Sequence, residues 1–231
     1  MTIAVLISTY GADEWKTLAA GRAFPSAERE QPDEIIVHHD PTGTAAGARN
    51  RAAQQSESDW LCFLDADDEL GRGFIPAMRQ SLRTLSRGPH AERVLFTPAV
   101  SYVLNGRPQR PKFWPVVPLE QANWLVIGTM ISRSLFQEVG GFHDYGDPPG
   151  SNAFEDWATW ARCHKAGARI VKVPRAVYVA HVDFASRHRG ASHETRAGWH
   201  REIGLDLFPE RYAKWTPPRA RARRGRGRLS L

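Results

Sequence analysis

Three carboxylates crowd the run Asp65-Ala66-Asp67-Asp68, directly after the apolar segment Trp60-Leu-Cys-Phe-Leu64. Such crowding is costly unless a cation or basic partner neutralises it, and an all-oxygen ligand set suits Mg²⁺ or Mn²⁺. The plain alternative is a solvated acidic turn that opens the next helix. A second acidic pair, Glu155-Asp156, starts a helical stretch after a Gly/Pro-rich loop from Asp144 to Asn152. The helix dipole favours a carboxylate there, so taken alone the pair reads as a cap. His181 closes an apolar run and precedes a polar, His- and Arg-rich segment, but a lone histidine is more often structural than a ligand. His38 and His39 read as sheet residues at a strand end. The turn Gly43-Thr44-Ala45-Ala46-Gly47 could turn backbone N–H groups toward a phosphate, yet it lacks both the P-loop Lys-Ser/Thr and the dinucleotide glycine pattern.

The elements that must position these groups follow from the hydrophobic pattern. Apolar runs at Ile3 to Thr9, Glu34 to His39 and Trp60 to Leu64 alternate with Ala-, Leu-, Arg- and Gln-rich helical stretches, which predicts βαβαβ and a parallel sheet. Ligands bind such sheets beyond the carboxyl ends of the strands, which singles out Thr9 to Gly11, Asp40 to Gly43 and Asp65 to Asp68. A helix is expected from Phe74 to Arg87, an apolar strand from Arg93 to Leu104, and a proline-rich antiparallel or irregular insertion over Asn105 to Pro118. A strand near Trp124 to Ile131 leads to a short helix, Ser134 to Val139, stopped by Gly140-Gly141. The helix Glu155 to Ala166 ends at Gly167, two strands follow at Arg169 to Val173 and Ala176 to Ala180, and another helix ends near Gly204. The helical spacing of Trp157 and Trp160 marks them as packing residues.

Composition narrows the function classes. The 231 residues suit one α/β domain plus a tail. No stretch of about eighteen apolar residues suggests a membrane span. The opening MTIAVLISTYG reads as a buried strand rather than a secretion signal, and a cytoplasmic protein is expected. Cys62 and Cys163 stand apart in apolar segments and read as reduced core residues. Six of the 31 basic residues lie in the last fifteen, PPRARARRGRGRLSL, and the remaining 25 balance the 25 acidic ones. The net charge of +6 therefore belongs to the tail, not to a basic nucleic-acid-binding body.

The order of the pieces resembles the family 2 glycosyltransferases over residues 2 to 182. The resemblance rests on VLISTYG, DEIIVHHD, GARNRAAQQSESDWLCFLDADDEL, GTMISRSLFQEVGGFHD and FEDWATWARCHKAGARIVKVPRAVYVAHV. It implies an α/β single domain of the GT-A (Rossmann-like) type with a mixed, mainly parallel central sheet, taken as residues 1–215; the Arg-rich segment 216–231, which the resemblance does not cover, reads from its composition as a disordered tail. It also implies a divalent metal, Mn²⁺ or Mg²⁺, a nucleoside-diphosphate sugar donor, UDP- or GDP-linked, and inversion at the anomeric carbon. By the same resemblance Thr9, Tyr10 and Asp40 contact the nucleoside, Arg49 lies near the donor, and Asp65 and Asp67 hold ribose and metal, with Asp68 extending the motif. His181 completes the metal or diphosphate site, Asp156 is the catalytic base, and Glu155 orients the site or contacts the acceptor. His39-Asp40-Pro41-Thr42 departs from the family's Asp-Asp-Gly-Ser run. The absence of QxxRW points to single addition rather than processive synthesis.

Acceptor identity stays open among a saccharide, a protein hydroxyl and a modified nucleic acid, with a tail contact to an anionic surface possible. A sugar nucleotidyltransferase would need a Gly-rich basic loop where STYGADEWK stands. A non-catalytic binding module using the Arg-rich tail for nucleic acid is the other alternative, and metal-dependent donor hydrolysis separates it from an enzyme.

Overall fold

The computed structural model describes residues 1–85, 92–119, 122–144 and 155–182. The expected loop 145–152, the segment 183–195, the helix ending near Gly204 and the tail 216–231 lie outside the described residues.

In chain order the elements are β1 (Ile3–Tyr10), α1 (Glu14–Gly21), α2 (Ala23–Glu30), β2 (Glu34–Asp40), α3 (Ala45–Gln55) and β3 (Trp60–Asp65). Then come β4 (Glu69–Leu70), α4 (Phe74–Leu85), β5 (Val94–Leu104), β6 (Arg107–Pro108) and β7 (Ile131–Ser132). The described part closes with α5 (Arg133–Glu138), α6 (Glu155–Lys165) and β8 (Arg169–His181).

The predicted βαβαβ unit is present. β1 pairs in parallel with both β2 and β3, and β7 adds an antiparallel edge, giving the order β2-β1-β3-β7. Ile3, Ala4, Val5, Leu6 and Ile7 are wholly buried because helices cover both faces of a parallel sheet. The register sets Tyr10 beside Asp40 and Ser8 beside Asp65, so the three predicted strand ends meet along one edge. A second sheet, β4-β8-β5-β6, pairs β8 with β5 in parallel and with β4 antiparallel. The two sheets meet where Phe96 of β5 bridges Met130 just before β7. The result is a mixed, mainly parallel α/β fold.

Two expectations change. The strands read at Arg169 to Val173 and Ala176 to Ala180 are one strand, β8, with its register shifted opposite Pro98 and Ala99 of β5. Pro98 has no N–H to offer the ladder, and the strand yields there. The strand expected near Trp124 to Ile131 shrinks to β7. Leu125 N–H instead donates to the Asn123 side chain and Thr129 N–H to Val126 O, which curls the preceding residues into turns.

Gly128 sits in that turn because a Cβ there would run into the ring of Tyr178, which is wholly buried. Gly128→Ala is expected to lower stability by about 1–3 kcal/mol through overpacking, read as a urea midpoint shift at unchanged slope.

Candidate functional site

The acidic loop leaves the carboxyl end of β3, where a parallel sheet opens to ligands. One ligand atom each from Asp65, Asp67 and Asp68 lies within 4.8 Å of the others, the one such cluster among the described residues. The loop backbone is pinned from α2 and from the residue that joins it to α1. Arg22 donates to Asp67 O at 2.8 Å, Leu70 N–H donates to Ser26 at 3.0 Å, and buried Glu30 accepts from the N–H groups of Gly73 and Ile75 at the start of α4. Rigid support of this kind holds three like charges together that would otherwise spread apart.

Asp68 is the deepest of the three. It accepts the His181 N–H at 2.8 Å, and the buried Tyr178 hydroxyl also bonds to it. Burial pushes the Asp68 carboxyl well above the ordinary carboxylate range, and Asp65 and Asp67 push it further. The Tyr178 phenol is raised by burial and by the same Asp68 and Asp65 charges, while its oxygen accepts Asp65 N–H at 3.3 Å. Packed, oxygen-only and mutually repelling, the cluster fits a hard divalent cation, which would relieve the repulsion these shifts record. His181 stands next to this group rather than in it: its Nε2 lies 2.8 Å from Glu69 Oε1.

Arg49 joins the cluster to α6. The small buried residues Ala45, Ala46, Ala48, Ala52 and Ala53 let α3 lie close on the sheet, and from that face Arg49 reaches inward. Its Nη2 donates to Asp65 Oδ1 at 2.6 Å, and its Nη1 donates to Glu155 Oε1. Its guanidinium also sits 5.6 Å from the centre of the Phe142 ring. Burial opposes the Arg49 charge, but Asp65 and Glu155 outweigh it and raise its pKa further. Glu155 is pushed above its usual range by burial and by Asp156, against the pull of Arg49. Its Oε2 is buried with no hydrogen-bond partner among the described residues.

The next residue, Asp156, is partly exposed. Its Oδ1 accepts the N–H of Trp157 at 2.7 Å and its Oδ2 accepts from Asn123 at 3.1 Å, so the carboxylate is fixed in direction. Asn50, beside Arg49, donates to Phe142 O at 2.7 Å and accepts Phe142 N–H at 2.9 Å. That double bond fixes the Gly140-Gly141 turn. Gly141 has φ of 68°, and a Cβ there would press on Asn50.

At the other end of the strand edge, Thr9 is buried and its hydroxyl is 2.8 Å from His39 Nδ1 on the neighbouring strand. Asp40 is buried and paired with Arg51, and a Cβ at Gly43 would collide with the Asp40 carboxylate. Tyr10 ends β1 opposite Asp40. Thr9, Tyr10 and Asp40 thus share one end of the edge, while Asp65, Asp67, Asp68 and His181 gather beyond β3, with Arg49, Glu155 and Asp156 behind them. Residues the sequence did not mark are Asn50, Asn123, Glu69 and Tyr178. Asn50 lies inside a quoted motif and was open to notice, whereas nothing local to Asn123 or Tyr178 indicates a partner so far along the chain. Trp160 is wholly buried and Trp157 donates to Leu119 O at 2.6 Å, so both are packing residues as expected. Cys62 and Cys163 are free, buried thiols, each pushed up to about 12 chiefly by burial.

Residues 17–91 match the model of Glycosyl transferase family 2. No curated protein matches the chain. Among solved structures, S. aureus TarS 1–349 in complex with UDP-GlcNAc is similar at 14% identity, covering 92% of this chain and 69% of that one, with a TM-score of 0.58. GalNAc-T7 with UDP, GalNAc and Mn²⁺ is similar at 15% identity over 80% of this chain and 44% of that one, with a TM-score of 0.57. S. aureus TarS is similar at 18% identity over 92% and 41%, also with a TM-score of 0.57. At such identities the likeness is one of fold, and the fold is GT-A. By the match over residues 17–91 and that shared fold, the chain is similar to the family 2 glycosyltransferases.

Proposed function

We propose that the enzyme moves one sugar from a nucleoside-diphosphate donor, UDP- or GDP-linked, to an acceptor hydroxyl with inversion, using Mn²⁺ or Mg²⁺. The observation that carries this reading is the Arg49 bridge between Asp65 and Glu155, which ties the acidic cluster to the helix that begins Glu155-Asp156. In this reading metal and base belong to one site. The UDP-GlcNAc of the TarS complex and the UDP and Mn²⁺ of the GalNAc-T7 structure support the donor and metal classes.

In this reading Asp65 and Asp67, with Asp68 behind them, would hold the cation, and Thr9, Tyr10 and Asp40 would receive the nucleoside. A dication at the cluster supplies Lewis-acid stabilisation of the charge developing on the departing diphosphate. Asp156 takes the proton of the acceptor hydroxyl as its oxygen attacks the anomeric carbon, and Asn123 keeps that carboxylate aimed. Arg49 and Glu155 position, since their charged groups are spent largely on one another.

A panel of UDP- and GDP-sugars, read by thermal shift and hydrolysis with and without Mn²⁺, tests the reading. One nucleotide that stabilises the fold and is hydrolysed only with metal is the expected result. Asp67→Ala is expected to erase the metal-dependent part of that stabilisation. Because the folded state holds the Asp68 proton to higher pH than the unfolded chain does, Asp68 contributes stability at low pH and loses it as pH rises above the ordinary carboxylate range. A cation competes with that proton, so stabilisation by Mn²⁺ should grow with pH over the same window. Stabilisation by Mn²⁺ that is equal in the wild type and Asp67→Ala would count against the cluster as the metal site.

A further inference from the structure

Beside the acidic cluster stands an aromatic pair that the transfer chemistry above does not use. Among the described residues Trp114 is the one exposed tryptophan, at 43%. It is nonetheless held firmly: its Nε1–H donates to the Tyr102 hydroxyl at 3.1 Å, and the two rings meet edge to face at 6.1 Å. Lys112 Nζ lies 4.8 Å from the centre of the indole. A tryptophan braced along its edge and capped by a cation on one side offers its remaining surface to a ligand at little cost in lost side-chain freedom.

The register shows where that surface lies. Val100 of β5 pairs with Tyr178 of β8, and Tyr102 pairs with Ala180. Residues two apart on a strand, and residues side by side in a parallel pair, share one face of the sheet. Tyr102 therefore sits on the face from which Tyr178 reaches Asp65 and Asp68. The nucleoside end, at Tyr10 and Asp40, belongs to the other sheet, across β1 and β3. The stretch that carries Trp114 also runs on to Asn123, whose side chain holds Asp156.

We infer that Trp114, braced by Tyr102 and Lys112, is the stacking surface for a pyranose ring of the acceptor, which is therefore a saccharide. The inference rests on the transferase reading and narrows its acceptor. The C–H face of a pyranose is apolar and carries slight positive charge, which complements the electron-rich indole face. Lys112 covers one side of the ring, so the sugar stacks on the other.

The test uses the full-length, ¹⁵N-labelled protein with UDP or GDP and Mn²⁺. The Trp114 indole N–H resonance is assigned by its loss in Trp114→Phe. The probes are the methyl glycopyranosides of glucose, galactose, mannose and N-acetylglucosamine. At least one is expected to move that resonance saturably. Trp114→Ala should weaken its binding by about tenfold, Trp114→Phe by about threefold or less, and neither should alter the thermal shift given by the nucleotide. A nucleotide that stabilises the protein while no glycoside moves the Trp114 resonance overturns the acceptor platform and leaves the transferase reading intact. A nucleotide sugar that moves the resonance with no glycoside present assigns the ring to the donor and also overturns it. A protein that no nucleotide stabilises overturns the transferase reading, and the acceptor assignment with it.

Discussion

Asp156→Asn is expected to lower the transfer rate by about 10²- to 10⁴-fold while the affinity for the nucleotide donor stays at the wild-type level. The substitution keeps the size of the side chain and an oxygen to accept the Trp157 N–H or the Asn123 amide, so the helix start should hold its shape. What is lost is the negative charge that, in the proposed mechanism, takes a proton from the acceptor hydroxyl. Donor affinity is measured by calorimetry and transfer by product formation at saturating donor. The contrasting variant is Asp67→Ala, which should weaken metal-dependent donor binding first. An equal loss of donor binding in both variants would sink the assignment of base to Asp156 and metal ligand to Asp67. Asn123→Ala gives a smaller, informative control: with the carboxylate present but free to turn, the rate should fall less than in Asp156→Asn.

Arg49→Met should destabilise the protein by about 3–5 kcal/mol, because it strands two carboxylates in a site built around one guanidinium. Arg49 is 9% exposed and Glu155 is 7% exposed, so water cannot make good the loss at Glu155, whereas Asp65, with its side chain 34% exposed, is partly resolvated. Pairing the change with Glu155→Gln should recover part of the stability, since the second stranded charge is then gone. Urea unfolding of the two single variants and the double variant gives the coupling directly. Additive losses would mean that the Arg49–Glu155 contact carries no net energy. The same cycle separates support from chemistry, because a double variant that refolds well yet transfers poorly shows that the bridge also aligns Asp156 with the acidic cluster. Lysine is a poor substitute here: a single ammonium cannot fork between Asp65 and Glu155 as the two guanidinium nitrogens do.

The bridge bears on how the site divides its labour. The resemblance places Arg49 near the donor, and the structure places it between the cluster and α6, with its charge answered on both sides by carboxylates. One arginine thus lets the acidic cluster and an acidic helix start lie close together. Asn50 adds a second tie by binding both backbone groups of Phe142, so neighbouring residues on one turn of α3 fix two segments that come about a hundred positions later in the chain.

Much of the framework was legible in the residues alone. Alternation of apolar runs with helical stretches determined the βαβαβ unit, since a strand buried on both faces must be apolar throughout, as Ile3 to Ile7 are. Asp65, Asp67 and Asp68 declared themselves because three carboxylates in four positions are costly wherever they fall, and their place after a buried strand put them at the open edge of the sheet. Gly140, Gly141 and Gly167 marked chain reversals through positive φ, which side chains resist. Tertiary structure alone decided the partners. Nothing near Arg49 in sequence points to Glu155, which is 106 residues away, nothing near Asn123 points to Asp156, and the strand expected at Trp124 gave way to turns set by Asn123 and by the Tyr178 ring against Gly128. Spacing encodes the face a side chain occupies on its own element, whereas its partner depends on how separate elements close on one another. That is why the tryptophans at helical spacing could be read as packing residues from the sequence, while Trp114, in an irregular insertion with no period to read, acquired meaning only beside Tyr102.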